Sequence, residues 1–125
     1  MAPICIKNTG KYGRGVYSTR DIKKDELIEA SPVVISPENE WKYLEKTILF
    51  NYCFFWGDHN DIAIALGYGA LFNHSYTPNA TFNNNEDHLS IDFYAITNIK
   101  AGEEITINYN GDPEDKSPLW FNVIE

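Results

Sequence analysis

Residues 67–82 read GYGALFNHSYTPNATF, a small and apolar run that stops at Asn73, His74 and Ser75. An amide, an imidazole and a hydroxyl placed behind a buried-looking segment suit a loop that carries function. They equally suit an ordinary turn capped by Asn and Ser. Nucleophilic catalysis would want a Ser or Cys beside a His and an orienting carboxylate; His74-Ser75 is the only adjacent pair, and no elbow glycines surround the serine. His59, His74 and His88 are scattered without second ligands at helical or hairpin spacing, so no metal is expected. Tyr12, Gly13, Arg14 and Gly15 contain a Gly-Arg-Gly that reads as a turn, because no helix follows to make a phosphate loop. Tyr109 ends the alternating stretch ITINYN, where a strand tyrosine filling the core is the plain reading.

The elements that must position these residues read as many short strands with little helix. GVYSTR, ELIEA and PVVIS are β-branched and apolar, broken by DIKKD and by Pro32. SPENEWKYLEKTI is the one clear helix signal, with Ser36 to cap, Pro37 at the first helical position, and Trp41, Leu44 and Ile48 on one face. LFNYCFFW and IAIAL are apolar enough for buried strands or a buried helical turn, and periodicity does not separate the two. HLSIDFYAI alternates, putting Leu89, Ile91, Phe93 and Ala95 on one face, with NNNED as its hairpin turn back to a strand over Ala80–Asn83. In ITINYN the inner face is Ile105, Ile107 and Tyr109. IKKDELI and IKAGEEI echo each other, each a charged turn feeding a strand.

With 125 residues and 43% hydrophobic content the chain can bury one core, so a single domain over 1–125 is expected. The formal net charge of -8 would repel nucleic acid and anionic membrane over most of the surface and attract a Lys/Arg-rich peptide. No basic leader with a long apolar run and no stretch of roughly 20 apolar residues is present, so an intracellular protein is expected. The glycosylation patterns at Asn73 and Asn79 then carry little weight. Cys5 and Cys53 lie in apolar runs and are expected as small buried thiols.

Taken in order, KYGRGVYS, IKKDELI, GYGALFNHSYTPNATF and IKAGEEITINYN resemble the SET domain of protein-lysine methyltransferases. That family shows a Gly-x-Gly strand start, an Asn-His-Ser segment followed by Pro-Asn, and a Gly-Glu-Glu-apolar strand ending in Tyr. The resemblance runs from about Lys11 to Tyr109 and is closest to small stand-alone viral and bacterial members. It implies a mainly β, β-clip-like fold of several short sheets, one short helix and a knot-like C-terminal crossing, with a core over 11–110 and a lid over 111–125. It also implies an S-adenosylmethionine-dependent protein-lysine N-methyltransferase acting on a basic protein tail, histone-like or other. The alternative is a non-catalytic module on the same scaffold that binds peptide or cofactor.

Residue by residue, the resemblance makes Tyr109 catalytic and gives Asn73 the methionine end of the cofactor and His74 its adenine. Tyr12, Gly13 and Arg14 would bring main chain against the cofactor, and Trp120, with Phe121, would supply an aromatic lid in a tail that has no cysteine for a zinc cluster. Tyr52, Phe72, Phe82 and Ile107 would line the substrate-lysine channel. Pro78 and Asn79 would be turn residues. Ile107 stands where many members carry an aromatic that limits the number of methyl groups, which implies that di- and trimethylation are accessible. A homodimer is a further expectation from the small relatives.

Overall fold

The strand-forming stretches pair into two sheets in the computed structural model, which describes residues 2–125; of the expected 1–125 range, Met1 lies outside the described residues. The first sheet contains β1 (Ile4–Asn8), β2 (Arg14–Ser18), β6 (Asn73–His74) and β9 (Glu104–Ile107), in the order β1-β2-β9-β6. The second contains β3 (Leu27–Ser36), β4 (Cys53–Trp56), β5 (Asp61–Ala65), β7 (Ala80–Asn85) and β8 (Ser90–Ala95), in the order β4-β5-β3-β8-β7. Neighbours are antiparallel except β6 and β9, which run parallel. With one short helix, α1 (Trp41–Leu44), the fold is mainly β.

Pro32 does not break the early strand. β3 is continuous for ten residues because its two halves have different partners: Leu27–Pro32 pair with β8 and Val33–Ser36 with β5. The proline, which has no N–H to give a ladder, sits at the changeover, and its carbonyl accepts from the Leu66 amide at 2.8 Å. The continuous helix expected from Ser36 through Ile48 is shorter than its signal. Glu38–Glu40 and Ile48–Tyr52 are single 3₁₀ turns flanking the four-residue α1, and Ile48 is 69% exposed. Ser36 donates to the Glu40 carboxylate at 2.7 Å and caps no helical N–H. Aromatic contacts hold this segment instead: Trp41 stacks on Phe50 at 5.9 Å and meets the edge of Phe55 at 6.0 Å.

β8 is buried on both faces, Ser90 and Asp92 included, whereas Leu89 drops out of the alternation into the turn at φ 51°. β7 accordingly extends to Asn85, beyond the expected strand end. Cys5 and Cys53 are half-buried, short of the full burial expected of them.

The internal echo is structural. Ile22 and Ile99, its two first residues, exchange backbone hydrogen bonds of 2.8 Å in both directions. The fourth residues, Asp25 and Gly102, share positive φ values of 72° and 89°. Glu26 and Glu103 each close the turn with a carboxylate, one on the Lys23 amide and the other on the Lys100 amide. Two copies of one turn thus face each other across the core, where Ile22, Ile28, Ile99 and Ile105 are all buried. This pairing fixes the start of β9 and with it the direction in which the chain runs toward Tyr109.

Candidate active site

β6 is only two residues long, yet it joins the two motif-bearing segments. Asn73 is opposite Thr106 and His74 opposite Ile107, and the Ser75 amide continues the ladder to the Ile107 carbonyl at 2.9 Å. The Asn79 side chain locks the far side, donating to the Glu104 carbonyl at 2.8 Å and accepting from the Thr106 amide at 2.9 Å. C-terminal residues then cover the segment: Tyr76 donates to the Ser117 carbonyl, and Glu125 accepts from Ser75 and from the Tyr76 amide. Residues 73–77 are therefore held between β9 and the tail, which is the crossing expected there.

Tyr109 stands just past β9 and is fastened at both ends. Its amide donates to His74 Nδ1 at 2.9 Å and its hydroxyl donates to the Phe72 carbonyl at 2.6 Å. Burial pushes its phenol well above the ordinary value, with Tyr52 and Glu104 adding to the effect, so the hydroxyl stays protonated. Because Nδ1 of His74 is an acceptor, a neutral ring must carry its proton on Nε2. That N–H is buried without a partner among the described residues, enclosed by Tyr76, Tyr109 and Phe121.

A cavity of about 830 Å³ opens in front of Tyr109. It gathers three of the four expected channel residues, Tyr52, Phe72 and Phe82, around Tyr109, and adds Trp120, which stacks on Tyr109 at 6.1 Å and 17°. Sequence reasoning missed Trp41, Phe50, Phe54 and Phe55, which also line it. Phe50, Phe54 and Phe55 had as their only signal aromatic density in a stretch whose period was unreadable, and Trp41 read as part of the apolar face of the expected helix.

Tyr12, Gly13, Arg14 and Asn73 assemble beside this cavity rather than in its wall. Residues 9–13 form the β1–β2 turn, with Thr9 bonded to the Gly13 carbonyl through both its amide and its hydroxyl. Gly13 takes φ 92°, and a Cβ there would meet nothing within 4 Å, so backbone geometry and not a crowded protein neighbour demands the glycine. Asn73 Nδ2 donates to the Arg14 carbonyl at 2.8 Å and to the Glu104 carboxylate at 2.9 Å, and the Tyr12 hydroxyl also bonds Glu104. Glu104 is the polar centre of this group, although the sequence reading used it only as part of the Gly-Glu-Glu turn.

Two expectations need correction. Ile107 does not line the cavity: it is 1% exposed in the core, because it is on the β9 face that packs inward with Ile105. Replacing it with Tyr is therefore expected to overpack the core and destabilise the fold by about 1–3 kcal/mol. Urea unfolding checks this, and an unchanged midpoint would mean there is room at the position after all. Trp120 lies over the cavity with the channel walls, not with Tyr12, Gly13 and Arg14, since its ring is drawn onto Tyr109 and Phe121.

The sequence model of the SET domain family matches residues 13–110. A Schizosaccharomyces pombe histone-lysine N-methyltransferase specific for H3 lysine-37 is 33% identical over 121 residues, covering 96% of this chain and 78% of the relative. A Saccharomyces cerevisiae histone-lysine N-methyltransferase specific for H3 lysine-36 is 31% identical over 122 residues, 89% of this chain but 16% of that much longer protein. Among solved structures, a Plasmodium falciparum protein described as a histone methyltransferase superposes with a TM-score of 0.68 at 32% identity, covering 87% of this chain and 94% of the other. A match over most of the length, joined to the parallel pairing of the Asn-His segment with the strand that precedes Tyr109, leaves one assignment: the chain belongs to the SET domain family.

Proposed function

We propose that this chain, a protein-lysine N-methyltransferase by family, works as one SET domain with its core over 11–110 and a lid over 111–125, and takes its methyl group from S-adenosylmethionine. The observation that carries the reading is the Tyr109 hydroxyl, held at 2.6 Å on the Phe72 carbonyl at the wall of an aromatic cavity. Three features suit the cofactor. The unpartnered Nε2–H of His74 offers a buried donor, Gly13 leaves open space beside the β1–β2 turn, and Asn73 and Glu104 present acceptors. When bound, the cofactor supplies an electrophilic sulfonium methyl.

The chain's residues then have three tasks. The first is to receive lysine as a neutral amine: discharging a free lysine at pH 7 costs about 4.6 kcal/mol, and an aromatic enclosure of Tyr52, Phe54, Phe72 and Phe82 lowers that cost by disfavouring the charged form. The second is orientation. Tyr109 Oη and the Phe72 carbonyl are neighbouring oxygens that accept from the amine's remaining hydrogens and set the direction of its lone pair. The third is exclusion of water, which falls to Trp120 over Tyr109. Tyr109 is not the base, because its raised pKa leaves no phenolate to take the proton; the proton leaves to solvent before transfer.

The substrate is a basic protein tail, in keeping with the net charge of -8. Incubation with S-adenosylmethionine and a panel of histone tails and basic peptides should give lysine-methylated product by mass spectrometry, absent when the target lysine is changed to Arg. Absence of methylation on every peptide, with intact cofactor binding, would favour the binding-module reading. Trp120→Ala should raise KM for peptide by about three- to tenfold, the worth of one aromatic contact, without moving the melting temperature of a residue 63% exposed. An unchanged KM would remove the lid.

A further inference from the structure

Glu104 is a carboxylate that the fold takes trouble to build and then leaves without a counter-charge. Tyr12 donates its hydroxyl to one oxygen and Asn73 its amide to the other, at 2.9 Å. Gly15 makes room for it: a Cβ there would lie 2.5 Å from Glu104 Oε2 and 2.9 Å from Asn73 Nδ2, so any side chain on β2 at this point would expel the group. Asn79 pins the Glu104 backbone, and β2 pairs with β9 at Tyr17 and Glu104. Both donors to the carboxylate are neutral. Among the described residues the one ion pair is Arg20 with Glu26, and it does not include Glu104.

A half-buried carboxylate fixed by neutral donors has satisfied part of its hydrogen-bonding capacity but keeps its full negative charge, and each oxygen still has an open lone pair. Such a group is completed by a cation with several N–H donors. Asn73 gives its nitrogen to Arg14 and Glu104, which leaves its amide oxygen as a second acceptor at the same place. A primary ammonium matches this arrangement, since it brings three donors and one positive charge.

We infer that Glu104, oriented by Tyr12 and Asn73 against the bare Gly15 backbone, is the recognition residue for the amino-acid ammonium of the cofactor, and so makes this site choose an intact methionine end. The inference rests on the cofactor reading above and adds to it a residue and the ligand group that residue selects.

The test is direct binding by calorimetry, with three unreactive probes: S-adenosylhomocysteine, its analogue in which the amino group is replaced by hydrogen, and methylthioadenosine, which lacks the amino-acid part. Wild type should bind S-adenosylhomocysteine at least about tenfold more tightly than the deaminated analogue, the scale of one charge-assisted hydrogen bond. Glu104→Gln should weaken S-adenosylhomocysteine by a similar factor and leave methylthioadenosine unchanged. Equal affinity of wild type for the first two probes overturns the assignment, as does equal weakening of S-adenosylhomocysteine and methylthioadenosine in the variant. If Glu104→Gln does not fold, Glu104→Asp takes its place in the comparison, and equal affinity of wild type for the first two probes still overturns the assignment. If wild type binds none of the three, the cofactor reading itself is lost and this assignment goes with it, a failure distinguishable from tight binding without selectivity for the ammonium.

Discussion

Tyr109→Phe is expected to lower kcat by about 10²- to 10³-fold, the usual loss when one oriented group that acts on the transition state is removed. The effect should fall on kcat and not on binding. The ring keeps its stack on Trp120 and its edge contacts with Phe121 and His74, and the Tyr109 amide keeps its bond to His74 Nδ1, so the backbone around the cavity stays where it is. What is lost is the oxygen 2.6 Å from the Phe72 carbonyl, hence one of two acceptors that aim the amine. The stability cost should be small, about 1 kcal/mol, because the abandoned Phe72 carbonyl lines a cavity that water can enter. Single-turnover transfer to a methylatable peptide, compared with calorimetric affinity for S-adenosylhomocysteine, separates the two effects. A variant that retains more than about a tenth of the wild-type rate would show that the hydroxyl is incidental.

The parts of this fold legible in the sequence are those where one physical signal dominates. β9 and β7–β8 could be read because alternation survives where one strand has a plainly inner face, as Ile105 and Ile107 do. β8 already blurs the rule, since Ser90 and Asp92 are buried by bonding each other at 2.8 Å, a pairing that polarity alone places outside. Pro32 was read as a break because its cost depends on which neighbour needs its N–H. A strand that changes partner at the proline escapes that cost, and partner choice is a tertiary fact. Over residues 36–48 the capping chemistry pointed to a helix, but the aromatic side chains of Trp41, Phe50 and Phe55 pack on each other and around a cavity, which three separate turns allow and one helix would not.

The site was more legible than its surroundings because the order of motifs carried it. Asn73, His74 and Tyr109 are side chains at the ends of short strands, where residue identity marks the place. Tertiary placement was not legible. Nothing in the composition says that Tyr52 faces the cavity, or that the echo of residues 22–28 and 99–105 is a paired turn. Glu104 shows the same limit: beside Glu103 it looks like half of an acidic turn, yet β9 pairing sends one toward the Lys100 turn and the other toward Asn73.

His74 ties these levels together, and His74→Ala is expected to be the most destabilising single change at the site, by about 3 kcal/mol or about 10 °C in melting temperature. Truncation strands the Tyr109 amide, whose acceptor is 35 positions away in sequence, and opens a hole among Tyr76, Tyr109 and Phe121. Activity should fall with stability, because Tyr109 loses one of its two fastenings. The imidazole also predicts a pH dependence. Burial lowers its pKa from 6.5, with Glu125 opposing only in part, so below that value the unfolded chain binds the proton more readily than the folded one. The neutral ring's contribution is therefore complete above about pH 6.5 and is lost as the pH falls from there toward the folded pKa. His74→Asn keeps an acceptor near the Tyr109 amide while removing the titration, and should be less destabilised than the Ala variant. Its melting temperature should also fall less steeply than wild type between about pH 7.5 and about pH 5.5, since the carboxylates common to both proteins cancel in the comparison. Parallel acid slopes for wild type and His74→Asn would mean that the ring is not held neutral, and the tautomer that offers Nε2–H to a bound adenine would lose its support.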